Sequence, residues 1–391
     1  MSSPPETATP NSPESVVFEN AEIVLPEAVI RGFVAVADGR IVEVGEGRAP
    51  ERGIDLGGET LIPGLVELHT DHLESHYAPR PKVRWHPLGA VLAYDAQIAT
   101  AGITTVFDSL RAGIDVDGYG LGAELLTLAE ALDEARRHHL FRADHHTHLR
   151  CEIPSPDVVD AVDNFAAMFP VGLISLMDHT PGQRQFRDLE KYFVYYGDKT
   201  HGGRAEAERA VEARIARSGP LVAENRPALI ALAKARGIPL ASHDDTTREE
   251  VEASYRAGIS LAEFPTTVEA ARACRERGIT VVMGAPNLIR GGSHSGNVAA
   301  ETLAQEGLLD ILSSDYVPAS LLMAAFRLPD RVPAIDLPAA IRTVTLNPAR
   351  ATGLGDRGAI APGLRADLVR VRISGETPVV RQVWRAGERV A

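Results

Sequence analysis

The sequence predicts an α/β fold: a (β/α)8 TIM-like barrel with a small β-sandwich built from both chain ends. Three observations carry this. Apolar, β-rich runs alternate with helical stretches between Leu61 and Thr352, short alternating strands occupy both ends of the chain, and acids and histidines recur where the central runs stop. Regular strand–helix alternation gives a parallel sheet, and eight such strands close it into a barrel.

From Val16 to Thr60 the runs AEIVLPEA, FVAVADG and IVEVGEG are broken by Gly, Asp and Pro, the pattern of small antiparallel strands. GAIAPGLRADLVRVRI and TPVVRQVWRAGERVA repeat that pattern at the other end. A lone hairpin is marginal in water, so the two ends are expected to share one sheet domain, residues 16–60 plus 355–391. Residues 1–15, MSSPPETATPNSPES, read as a disordered leader with neither the basic start nor the apolar stretch of a signal peptide.

The barrel is expected over residues 61–354. Its strand candidates are LIPGLVELH, ITTVFDSL, the run through HHTHLRCEI, VGLISLMDH, IPLASHD, ISLAEF, TVVMGA and LDILSSD. Between them, AELLTLAEALDEARRHH and VEAARACRERG carry apolar residues at helical spacing with a charged opposite face. No glycine-rich nucleotide fingerprint follows the first strand, although pattern alone also admits an open doubly wound sheet. The longest irregular stretch, Thr180 to about Arg236, begins TPGQRQFRDLEKYFVYYGDKTHGGR and suits a lid above the barrel.

Bulk properties narrow the function. A chain of 391 residues, 45% hydrophobic, can bury a large core. Its formal net charge of -13 opposes nucleic acid and anionic membranes, so neither is expected as a partner. Two distant cysteines, Cys151 and Cys274, form no disulfide framework, and a reducing cytoplasm fits. A small-molecule partner is expected, with a homo-oligomer left open.

Catalytic groups of such barrels sit at the C-terminal ends of the strands. There, His69 and Asp71 lie two apart on an extended run and project to one side, whereas His72 points elsewhere. In HHTHLRCEI one face is His146, His148, Arg150 and Glu152, a polar row that is costly in a dry barrel unless a metal or an anion compensates it. His179, His243 and Asp315 each end an apolar run. The six groups His69, Asp71, Glu152, His179, His243 and Asp315 therefore predict a site for a divalent metal, expected as two ions of zinc, manganese or iron, with Glu152 able to bridge them. Such ions lower the pKa of water from 15.7 toward about 7, and Asp315 is placed to take the proton as general base.

A second constellation is cationic. APRPKVRWHP puts Arg80, Lys82 and Arg84 just beyond the first strand, and Arg150, Arg184 and Arg290 add to the same rim. The RGGSHSGN loop offers Ser293, His294 and close backbone approach to an anion. Guanidinium forks suit phosphate oxygens, so metal and cations together point to hydrolysis of a phosphorylated substrate. The alternative is an amidohydrolase acting on a cyclic amide or deaminating a nucleobase, which needs fewer cations.

These residues resemble the amidohydrolase superfamily. PGLVELHTDHLESHYAPRPKVRW, HLRCEIP, SLMDHTPGQRQF, ASHDDTT, AEFPTT, MGAPNLIRGGSHSGN and LDILSSDYVPASLL are similar, in order and from about Glu22 to Trp384, to the diphosphatase group of the carbon–phosphorus lyase pathway. The usual His-X-His of the first strand is His69, Thr70, Asp71 here, a variation shared with that group, and Glu152 stands where the superfamily often has a carboxylated lysine. A local departure is His72, where bacterial members carry asparagine. The resemblance implies hydrolysis of alpha-D-ribose 1-methylphosphonate 5-triphosphate to the 5-phosphate and diphosphate, during phosphonate degradation.

Overall fold

A computed structural model describes residues 15–113, 122–182, 184, 204–293 and 295–391. Of the expected leader only Ser15 lies within them, and it opens the first strand. Strands β1 (Ser15–Val24), β2 (Val29–Ala37), β3 (Arg40–Glu46), β4 (Ile54–Asp55) and β5 (Thr60–Pro63) come from the N-terminal end. The barrel follows as β6 (Leu65–Thr70), β7 (Ile103–Ala112), β8 (Asp144–Glu152), β9 (Leu173–Met177), β10 (Leu240–His243), β11 (Leu261–Glu263), β12 (Thr280–Gly284) and β13 (Ile311–Ser313). The chain returns to the first unit in β14 (Leu368–Ser374), β15 (Thr377–Arg385) and β16 (Glu388–Arg389).

All eight expected barrel runs are strands, paired in parallel in the order β6 to β13. A bridge between Thr70 and Asp315 joins the first strand to the segment after the last. Helices are punctuated as the sequence suggests. Val268–Arg277 starts at Thr267, whose side chain accepts the N–H of Ala270, and stops at Gly278 in the left-handed conformation that glycine adopts freely.

The terminal unit is one mixed sheet, ordered β16-β15-β14-β5-β1-β2-β3. Most of its pairs are antiparallel as expected, but β1 runs parallel to both β4 and β5. Asp38 and Gly39, with φ of 51° and 73°, make the tight β2–β3 turn, a left-handed backbone conformation whose twist matches the right-handed twist of the paired strands. Phe18, Ile23, Val34, Ile41, Leu61, Leu368 and Trp384 form its own core. Phe18 meets Trp384 edge-on at 4.7 Å.

The boundary between the units falls later than residue 61. Leu61–Pro63 pair with β14, so LIPGLVELH is two strands split at Gly64. A side chain at Gly64 would meet Thr104 Oγ1 at 2.1 Å, and glycine lets the chain pass from one sheet to the other there. Inside the barrel, Val66, Leu68, Phe107, Leu173, Ala241, Leu261, Val282 and Ile311 form an apolar cluster, while a larger apolar layer packs the helices onto the strands.

A polar knot lies between β8 and the helix Pro87–Thr100. His145 Nδ1 is 2.9 Å from Asp108 Oδ2 and its Nε2 is 3.2 Å from Asp95 Oδ1, so both ring nitrogens donate to carboxylates. Burial alone would lower the His145 pKa, but Asp108 and Asp95 outweigh it and raise the value to about 9. The folded protein thus holds this proton more tightly than the unfolded chain. Its contribution is fully present below about 6.5 and is lost as pH rises through about 9. Melting temperature is expected to fall across that interval, and to fall less in Asp95→Asn; equal losses in both proteins contradict the assignment.

Candidate metal centre

At the carboxyl ends of the barrel strands, three histidines converge on Glu263. Its Oε1 lies 3.0 Å from His69 Nδ1 and 3.6 Å from His148 Nε2, and its Oε2 lies 3.1 Å from His243 Nδ1. His243 Nε2 is 3.4 Å from Asp244 Oδ2. The His69 and His243 rings stack at 5.5 Å, and His179 stands edge-on to His243 at 5.6 Å. Phe264 closes against both His69 and His243, at 5.0 and 5.3 Å.

Two triads have donor atoms within 4.8 Å of one another: His69, His148 and Glu263, and His179, His243 and Asp244. Burial lowers His69 and His243 to about 3 and His148 to about 4, which keeps these rings neutral with lone pairs available at neutral pH. Although His69 Nδ1 is close to Glu263, it makes no aligned hydrogen bond, and Asp244 Oδ2 is likewise buried without a partner. Unpartnered buried nitrogen and oxygen atoms beside neutral imidazoles and carboxylates fit a divalent cation.

The remaining expected ligands border these triads. Glu152 Oε2 is 2.6 Å from His179 Nδ1. Burial opposes charge on this pair, but each partner outweighs it, raising His179 and lowering Glu152. Asp71 Oδ2 accepts from Arg150 Nη1 at 2.9 Å. Asp315, two residues past β13 with a left-handed φ of 53°, is pushed up to about 8 by burial and by the nearby charge of Asp71. Asp244 is raised to about 7 by burial, against the pull of His179 and Arg184.

His148, Glu263 and Asp244 were not among the six expected ligands. His148 stands on the polar face of β8, Glu263 is the last residue of β11 within ISLAEF, and Asp244 adjoins His243 in ASHDD. His72, as expected from alternation, turns away: its Nδ1 meets the Tyr316 carbonyl and its Nε2 meets Gln97 Oε1, both at 3.1 Å.

The expected cations divide into three kinds. Arg80, Lys82 and Arg84 are exposed, and Arg84 Nε also lies 3.3 Å from Glu124. Arg150 is buried against Asp71, and Arg290 Nη1 reaches Tyr316 Oη at 3.5 Å. Arg184 Nη1 donates to the His243 carbonyl at 2.7 Å and to Asp245 at 2.9 Å, so it braces the strand end that carries His243. Ser293 accepts from the N–H of Ser295 at 3.1 Å. His294 lies outside the described residues, as does the part of the expected lid over 185–203. From Arg204 the chain forms a long helix to Arg236, and Arg214 Nη2 donates to the His179 carbonyl at 3.2 Å.

Among the described residues, no helix is long and apolar enough to cross a membrane. Residues 204–390 match the amidohydrolase family. The chain is 46% identical to the alpha-D-ribose 1-methylphosphonate 5-triphosphate diphosphatase of Escherichia coli K12, over 96% of this chain and 100% of that one. Two solved structures share the fold at low identity. N-acetyl-D-glucosamine-6-phosphate deacetylase from Mycobacterium smegmatis aligns with TM-score 0.60 and 19% identity over 96% of this chain and 100% of its own. N-isopropylammelide isopropylaminohydrolase from Burkholderia multivorans aligns with TM-score 0.62 and 18% identity over 96% and 97%. With 46% identity to the E. coli diphosphatase along nearly its whole length and a barrel that gathers histidines and carboxylates at its strand ends, the chain belongs to the amidohydrolase superfamily, in the same group as that enzyme.

Proposed function

We propose that the chain hydrolyses alpha-D-ribose 1-methylphosphonate 5-triphosphate to alpha-D-ribose 1-methylphosphonate 5-phosphate and diphosphate in phosphonate degradation. The observation that carries this reading is the full-length similarity to the E. coli enzyme of that activity. The cation-rich rim of an acidic protein supports it independently, because a phosphoanhydride substrate brings several negative charges to the site.

Two divalent ions, of zinc, manganese or iron, held among His69, Asp71, Glu152, His179, His243 and Asp315 with His148, Glu263 and Asp244 beside them, would supply Lewis-acid activation of water and offset phosphate charge. Asp315 takes the proton from water as it attacks the α-phosphorus. Arg150 holds Asp71 in place and presents charge toward the site. Arg80, Lys82, Arg84 and Arg290, with Ser293 and His294, hold the departing diphosphate, and Arg184 keeps the His243 strand end in position. Positioning and charge stabilisation supply most of the rate in phosphoryl chemistry of this kind.

Product analysis with metal-loaded protein tests the reading: diphosphate from the triphosphate supports it, while amide hydrolysis or deamination without diphosphate sinks it. Replacing Arg80, Lys82 and Arg84 together by alanine is expected to raise KM about tenfold, since three exposed charges contribute about 0.5 kcal/mol each. The wild-type KM should also rise with salt more steeply than that of the triple variant. Equal salt dependence in both removes the loop from substrate binding.

A further inference from the structure

The barrel has a seam. β6 and β13 are its first and last strands, yet the N–H of Val66 donates to Val344 O at 2.9 Å and that of Leu312 to Thr343 O at 3.0 Å, so residues 343–344 take the amides that a ladder would pair. Main-chain contact resumes at the top, where the N–H of Asp315 donates to His69 O at 3.1 Å.

Glu67 spans this seam with its side chain. Its Oε1 accepts the N–H of His69 at 2.6 Å and lies 2.8 Å from the Ser313 hydroxyl, and its Oε2 accepts the N–H of Ser314 at 2.5 Å. The Ser313 hydroxyl is also 2.6 Å from His69 O and has one proton to share between the two oxygens. A fully buried carboxylate is costly to desolvate, and three convergent donors on the two strands offset part of that cost, with burial still raising the Glu67 pKa. The carboxylate thus fastens the residues flanking His69 to those that precede Asp315.

We propose that Glu67 is a positioning residue for the hydrolysis: it sets the separation between His69 on the first strand and Asp315 beyond the last. The inference rests on the reading of Asp315 as the group that takes the proton. Displacing such a group by about 1 Å costs about 100-fold in rate, and at the seam the Asp315 N–H to His69 O bond and the Thr70–Asp315 bridge are too short a ladder to hold that distance without the carboxylate beneath them.

Glu67→Gln preserves size but turns an amide NH2 toward a main-chain N–H, so one tie is lost and two donors face each other. The expected result is kcat lowered about 100-fold with KM changed less than about threefold and metal per chain unchanged. Ser313→Ala removes one hydroxyl tie and is expected to lower kcat about tenfold. A merely structural clasp instead lowers the melting temperature while kcat per folded, metal-loaded molecule stays at the wild-type value, and that result overturns the proposal. If Glu67→Gln does not fold, Ser313→Ala decides by the same criterion. Wild-type protein that releases no diphosphate sinks the functional reading and this inference with it; wild type that does, beside variants at full kcat, sinks this inference alone.

Discussion

Asp315→Asn is expected to leave the barrel folded and to lower kcat at least about a thousandfold, the upper range for loss of a general base. Asparagine tolerates the left-handed conformation that Asp315 adopts at φ 53°, and the main-chain N–H of this residue can still reach the His69 carbonyl. What disappears is the carboxylate. It is buried beside Asp71, which together with desolvation raises its proton affinity, and divalent cations at the site would favour the charged form that can accept a proton. Melting temperature should stay near wild type while turnover collapses even in metal-loaded protein. A variant with a near-normal rate removes Asp315 from the base role.

Removal of metal should abolish turnover, and restoring a divalent ion should return it. The buried, neutral His69, His148 and His243 and the carboxylates of Glu263 and Asp244 form a donor set in which His69 Nδ1 and Asp244 Oδ2 have no hydrogen-bond partner. An ion bound there also stabilises the fold, by about 2.7 kcal/mol at a free concentration one hundred times its Kd. Chelated protein is therefore expected to melt several degrees lower than the reloaded form. Melting curves that ignore chelation, with activity intact, contradict a metal centre among these residues.

Much of this arrangement is legible in the sequence because barrel strands are continuous apolar runs and their C-terminal ends are marked by polar residues. ASHD and LDILSSD announce both a strand and a site residue in a few letters. Other features are not legible, for physical reasons. The split at Gly64 hides inside one apolar run, since both sheets bury LIP and LVEL alike. Alternation assigns Glu263 to a face, but only closure of the barrel brings it against His69, far away in sequence. Residues 343–344 carry no strand pattern, so their place in the seam, and with it the task of Glu67, emerges only when the first and last strands meet.

The most direct test of the proposed hydrolysis is turnover of alpha-D-ribose 1-methylphosphonate 5-triphosphate in 18O-labelled water, read by phosphorus NMR. Attack at the α-phosphorus places the label in the ribose 5-phosphate and leaves the released diphosphate unlabelled. Label in the diphosphate, release of inorganic phosphate, or no turnover by metal-loaded protein would contradict the account.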